Sequence, residues 1–210
     1  MLGFRGASRY THPYYNEVFE LECRAIQSIV YNLGLTNLIL LIPLCRSMDE
    51  AHKVKDTISI HGVIRLSVTD SSGIKVYMMC GIPSITTGLI DIDQFSSLFD
   101  GFILGSYDHN LLLRLRDDQK HCEVILPDIL DERNPTVFRH IELIIESIRR
   151  NKKNVSICGD ELSSSCPEMI DTLIRLGVDS LSVGVNNFMK TLLIVQRYEI
   201  VILSDLNKVG

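Results

Sequence analysis

Three kinds of side chain in this sequence could do chemistry: cysteine thiols, arginines able to grip an anion, and aspartates able to hold a metal or a proton. The thiols are Cys23, Cys45, Cys80, Cys122, Cys158 and Cys166. None forms a C-x-x-C pair and most lie inside apolar runs, so they read as reduced thiols, neither a disulfide framework nor a zinc site. Cys158 ends such a run, where a lone thiol is ordinarily inert core. Asp108 stands where it can cap a helix, with His109 beside it as a solvated or capping residue. Arg5, taken alone, reads as a surface or ion-paired arginine. Neither G-x-G-x-x-G nor G-x-x-x-x-G-K-[ST] occurs, so no nucleotide fingerprint is present.

These residues need elements to position them, and the apolar pattern supplies alternating helices and strands. Val18, Leu21, Ile26, Ile29 and Leu33 recur at helical spacing from Tyr15 to Leu33, ahead of a left-handed cap at Gly34. Asn37–Pro43 is a short apolar run, as expected of a strand buried on both faces. Ser47 with Glu50 has the capping-box spacing and opens a helix to about Ile60. A strand at Lys75–Cys80, a short helix near Asp91–Leu98 and a strand at Gly101–Gly105 follow. Beyond a loop-rich stretch from Asp117 to Asp131, Asn134 and Pro135 open a helix to about Arg150. Asn154–Cys158 reads as a strand, Ser165 with Glu168 caps a helix up to Gly177, Asp179–Val183 is a strand, and a last helix runs from Asn187.

This periodicity predicts a parallel α/β fold. Five clear strands and a sixth at Met1–Arg5 are too few for a closed eight-stranded barrel. Yet polar and charged residues gather just after strand ends, the face on which a barrel binds its ligand. Pattern alone leaves barrel and doubly wound open sheet side by side. No internal repeat or low-complexity linker is visible.

At 210 residues, 46% hydrophobic and 22% charged, the chain has the composition of one soluble globular domain, residues 1–210. A formal charge of -5 with scattered Lys and Arg offers no basic stripe, so nucleic acid is not an expected partner. No apolar run approaches the roughly 20 residues of a membrane span, and residues 1–10 lack the apolar centre of a signal peptide. No membrane association and a cytoplasmic location are expected.

The opening Met1-Leu2-Gly3-Phe4-Arg5-Gly6-Ala7-Ser8-Arg9-Tyr10 resembles the Leu-Gly-x-Arg-Gly segment of the phosphoenolpyruvate-utilising enzymes. The likeness continues in order through Phe19-Glu20-Leu21-Glu22-Cys23, Ile42-Pro43, Val76 to Ser84, Asp100-Gly101-Phe102, Gly105-Ser106-Tyr107-Asp108, Asp131 to Pro135 and Ile157-Cys158-Gly159. It covers about 190 residues and is nearest to the phosphoenolpyruvate synthase branch, the pyruvate, water dikinases.

What the resemblance implies is the C-terminal phosphoenolpyruvate/pyruvate-binding domain, a (β/α)8 barrel that takes phosphoenolpyruvate or pyruvate at its C-terminal face. Here it is apparently incomplete, with about six of eight strand-helix units. In this family a phosphohistidine on another domain or subunit passes its phosphoryl group to a pyruvate enolate that Mg²⁺ stabilises. By the same resemblance Arg5 binds the phosphate, which suits a guanidinium fork. Asp108 is a metal ligand, and Cys158 moves the methyl proton. Gly105 and Ser106 face the anionic end of the substrate through backbone N–H groups, with Tyr107 beside them, and Arg116 stands near the family's second phosphate clamp.

The chain also departs from the family. Gly81 stands where the family carries its second metal-binding glutamate, Tyr107 replaces an asparagine, and Arg116 meets its motif only after a two-residue shift. With Asp108 as the one recognised protein ligand, Mg²⁺ is expected to bind weakly, and activity of the chain alone is doubtful. A migrated ligand at Asp91, Asp93 or Glu161 would restore it. The 210 residues contain no ATP-grasp or phosphohistidine segment, so the chain is not expected to use ATP by itself. Unpaired sheet edges favour a homo-oligomer, a partner chain or an unusual closure, and the stretch from Glu199 to Ser204 is apolar enough to cover an edge. The alternative is a non-catalytic regulatory or partner-binding barrel that senses phosphorylated acids through Arg5.

Overall fold

A computed structural model describes residues 4–63, 74–80, 92–105, 135–158 and 167–209. Five strands, β1 (Ile39–Ile42), β2 (Lys75–Cys80), β3 (Gly101–Gly105), β4 (Asn154–Cys158) and β5 (Ser180–Ser182), form a sheet in the order β1-β2-β3-β4-β5. β1 runs parallel to β2 with Ile39 opposite Lys75, and β4 runs parallel to β5 with Ser156 opposite Ser180. A doubly wound sheet starts in its middle and reverses direction, so its spatial order departs from chain order. Here the two orders coincide, as in a singly wound (β/α) arrangement. The sixth strand expected at Met1–Arg5 is not seen in its described part: Phe4 and Arg5 have no strand pairing, and residues 1–3 lie outside the described residues.

The chain divides into two compact units, residues 1–102 and 103–210. The first holds α1 (Ala7–Tyr10), a 3-10 turn at Pro13–Tyr15, α2 (Asn16–Gln27), β1, α3 (Met48–Ile60), β2 and α4 (Ile92–Ser96). The expected helix from Tyr15 to Leu33 is present but widens into a π turn at Ser28–Asn32, with Leu33 N–H donating to Ser28 O at 3.1 Å. It ends at Gly34 in the left-handed region, φ 69°, as its sequence predicts. Its buried face differs from the expected one. Phe19 and Cys23 are buried while Val18, Leu21 and Leu33 are exposed, because Tyr10 and His61 pack their rings around Phe19.

Ser47 caps α3 by accepting the Glu50 N–H at 3.2 Å. The return half of the capping box is shifted one residue: Glu50 Oε2 accepts from the Arg46 N–H at 2.8 Å. Ala51, Val54 and Ile58 then bury one stripe of the helix. β1 is less enclosed than its apolar run predicts. Only Ile42 is buried, and Ile39 is 45% exposed, consistent with β1 standing first in the strand order.

The second unit holds α5 (Pro135–Arg150), β4, α6 (Pro167–Arg175), β5, a 3-10 turn at Val185–Asn187 and α7 (Phe188–Val209). Ile141, Ile144, Ile145 and Ile148 form the buried stripe of α5, and Met169, Ile170 and Leu173 that of α6. The stretch Glu199–Ser204 lies within α7 as helix rather than strand. Among the described residues no helix is long and apolar enough to cross a membrane.

The two units share one device. Asp100 donates its N–H to Val76 O at 2.9 Å and accepts the Val76 N–H on Oδ2 at 2.8 Å. Asp179 does both to Val155, each at 2.8 Å. In both cases 24 residues separate the partners. No motif in the sequence announces this repetition.

Candidate functional site

Arg5 is exposed, and the chain around it is tightly held. Gly6 adopts φ 78° and ψ -158°, a region essentially restricted to glycine. A Cβ there would lie 2.5 Å from Leu44 Cβ and 2.9 Å from Leu44 O. Leu44 is itself left-handed at φ 48°, uncommon for a residue other than glycine. Ala7, fully buried, donates its N–H to Pro43 O at 3.1 Å. Ser8 Oγ lies 3.3 Å from Arg5 O, and Arg46 Nη1 donates to the same Oγ at 3.3 Å. Residues 5–8 are thus clasped to residues 43–46, immediately beyond the carboxyl end of β1. Just below, the Arg9 guanidinium stacks 4.0 Å over the Tyr15 ring.

In the second unit Gly105 and Cys158 are the carboxyl-terminal residues of β3 and β4. Gly105 is buried; Cys158 is half-buried, outside any disulfide, and opposite Ser182 on β5. Gly105 and Cys158 therefore stand at the carboxyl ends of their strands, whereas Arg5, in no strand itself, lies in the segment clasped to the residues just beyond β1. Ser106, Tyr107, Asp108 and Arg116 lie outside the described residues, as do Gly81, His109, Asp91 and Glu161. Asp93 is on α4 and exposed.

Cys158 is half-buried, whereas the other described thiols are buried. Burial, with the Glu50 charge adding to it, pushes the Cys45 thiol up to about 12. Burial also pushes Cys23 up to about 11 and raises the fully buried Cys80 strongly. A thiol held neutral in this way is a poor nucleophile and a poor base. The three are packing residues, as their apolar settings predict.

The magnesium site expected from the family turns on Gly81 and Asp108. Glycine offers no side-chain oxygen, and Mg²⁺ is ordinarily held by one or two carboxylates together with waters and substrate phosphate oxygens. Among the described residues no group of three or more His, Cys, Asp or Glu side chains converges.

The sequence did not single out Ser8, Leu44 or Arg46. Its one signal was Gly6 followed by the small Ala7 and Ser8, the composition of a segment that another backbone approaches closely.

The family described as PEP-utilising enzyme, PEP-binding domain, matches residues 1–200. The phosphoenolpyruvate synthase of Synechocystis sp. is 38% identical over 95% of this chain and 23% of its own length. That of Aquifex aeolicus is 35% identical over 95% of this chain and 22% of its own, and that of Escherichia coli 34% over 91% and 23%. The chain thus spans less than a quarter of the length of these relatives. Among solved structures, a pyruvate kinase from Cryptosporidium parvum superposes with a TM-score of 0.47 at 15% identity, covering 77% of this chain and 30% of the kinase. An HpcH/Hpal aldolase/citrate lyase family protein from Burkholderia cenocepacia superposes with a TM-score of 0.47 at 12% identity, covering 86% and 68%. The match over residues 1–200 decides the family: this chain belongs to the PEP-utilising enzymes, as their PEP-binding domain.

Proposed function

We propose that this chain is the phosphoenolpyruvate/pyruvate-binding barrel of a phosphoenolpyruvate-synthase-like phosphotransferase, impaired or inactive on its own. The observation that carries the reading is Arg5, presented beyond the carboxyl end of β1 by a glycine that tolerates no side chain. A guanidinium there meets a phosphoryl group through paired N–H···O bonds. Cys158 Sγ, half-buried at the end of β4, gives its proton to the methylene carbon of enolpyruvate and takes it back from the methyl group in the reverse direction. The phosphoryl group comes from a phosphohistidine on another domain or subunit. A cytoplasmic setting suits the described cysteines, none of which is in a disulfide.

Gly81 favours a second reading. Without the second acidic ligand the barrel could keep Arg5 and sense phosphorylated acids, or contact a partner, without catalysis. Calorimetric titration of phosphoenolpyruvate into wild type and Arg5→Ala tests the binding reading. Binding that Arg5→Ala weakens supports it, and no binding by wild type overturns it. Exchange of the pyruvate methyl protons that is lost in Cys158→Ala would separate the enzyme from the sensor.

A further inference from the structure

Building on that reading of Arg5, we infer that Ser8 and Arg46 are positioning residues that fix the main chain at Arg5 and so aim its guanidinium. A long exposed side chain can hold a planar fork against a phosphoryl group only if its Cα is held within a fraction of an ångström. Hydrogen bonding at Ser8 provides this. A serine hydroxyl has one proton and two lone pairs, whereas a guanidinium can only donate. Arg46 Nη1, 3.3 Å away, therefore takes a lone pair, and the hydroxyl proton is left for Arg5 O, also 3.3 Å away. The direction of the relay follows from the donors available.

Arg46 is fixed in its turn. Its N–H donates to Glu50 Oε2 at 2.8 Å, and Glu50 Oε1 lies 3.7 Å from Nη1. The first turn of α3 thus holds Arg46, Arg46 holds Ser8, and Ser8 holds the Arg5 carbonyl. On the other side Gly6 is pressed against Leu44, and both have positive φ. Leu44, a non-glycine residue held at φ 48° against Gly6, is a strained position retained beside Arg5, which points to a functional constraint there.

The test is phosphoenolpyruvate affinity by calorimetry, with melting temperature measured alongside, for wild type, Ser8→Ala, Ser8→Thr, Arg46→Met and Ser8→Ala/Arg46→Met. Ser8→Ala and Arg46→Met should each weaken binding about fivefold, the effect of one hydrogen bond, with melting temperature lowered by no more than about 4 °C. Ser8→Thr keeps the hydroxyl and should bind as wild type does. The double variant should be no weaker than the worse single one, because both changes break the same chain of bonds. Unchanged affinity in Ser8→Ala and Arg46→Met overturns the inference and leaves the functional reading standing. So does a loss that appears only together with a fall in melting temperature well beyond about 4 °C. Absence of binding by wild type overturns the functional reading and this inference together.

Discussion

Asp179 grips Val155 at both of its main-chain polar groups, donating to its carbonyl and accepting from its N–H at 2.8 Å each. Val155 is fully buried, so its N–H would otherwise lack a partner at the start of β4. Asp100 does the same for Val76 at the start of β2. Each clamp ties the beginning of one strand to the residue that leads into the next.

Asp179→Ala should therefore cost about 1–3 kcal/mol in urea unfolding, because a buried N–H loses its acceptor. Asp179→Asn keeps an acceptor oxygen and gives up chiefly the ion pair with Arg149 Nη1 at 3.4 Å, between side chains 47% and 39% exposed. An exposed pair of that kind contributes less than about 1 kcal/mol. Equal losses in the two variants would mean that the ion pair, and not the clamp, carries the stability.

Gly101 meets the Tyr77 ring so closely that a Cβ would lie 2.6 Å from Cζ and 2.7 Å from Cε1. Tyr77 is only 4% exposed, and its ring has little room to retreat. Gly101→Ala should destabilise by about 1–3 kcal/mol, the usual cost of overpacking a core. Restored stability in Gly101→Ala/Tyr77→Val would identify the ring as the obstacle; no recovery would point to the backbone instead.

Much of the fold was legible in the sequence, because its signals are local. The strands at Lys75–Cys80, Gly101–Gly105 and Asn154–Cys158 and the helix starts at Ser47 and Pro135 follow from apolar periodicity and capping chemistry, and the structure has them there. The face of α2 was not legible. Val18 and Leu21 have helical spacing as good as that of Phe19 and Cys23, and only the packing of Tyr10 and His61 decides between them. For the candidate site the same division holds. Arg5 and Cys158 stand out in motifs, whereas the contacts that hold Arg5 come from residues 43–46, about 40 positions along the chain, and leave no spacing to read.

Thiol chemistry should separate the described cysteines. With iodoacetamide at pH 8 and residue-resolved mass spectrometry, half-buried Cys158 should be alkylated well before Cys23, Cys45 and Cys80. Cys45 labelling as fast as Cys158 would mean that the carboxyl end of β1 opens in solution. Stability should follow the same shifts. A thiol raised from 9.0 to about 12 in the fold binds its proton more tightly there than in the unfolded chain. Its contribution is therefore complete below pH 9 and lost as pH rises through 12. Cys45→Ala should flatten that alkaline decline in the urea midpoint, and an unchanged slope would assign the decline to other groups.

β1 and β5 end the strand order, and Ile39 on β1 is 45% exposed. Nearby on the first unit, Leu33 and Leu35 are 66% and 51% exposed. An edge strand with apolar neighbours invites pairing with a second chain. Sedimentation velocity should show reversible self-association as concentration rises, and Ile39→Lys should weaken it, since an edge lysine opposes strand addition. A species that stays monomeric across the range would mean that these edges are satisfied within the chain.

Magnesium dependence tests whether Gly81 costs the chain a metal site. If Asp108 is left as the sole recognised ligand, phosphoenolpyruvate titrated with and without Mg²⁺ should bind wild type with nearly equal affinity, because one carboxylate in place of two holds the hydrated ion weakly. Gly81→Glu supplies the missing carboxylate and should make binding tighter with Mg²⁺ than without it. Mg²⁺-dependent tightening already present in wild type would instead locate a replacement ligand elsewhere in the chain. Asp91→Asn, Asp93→Asn and Glu161→Gln, tested in turn, would identify it by removing that dependence while leaving the Arg5-borne binding measured without metal intact.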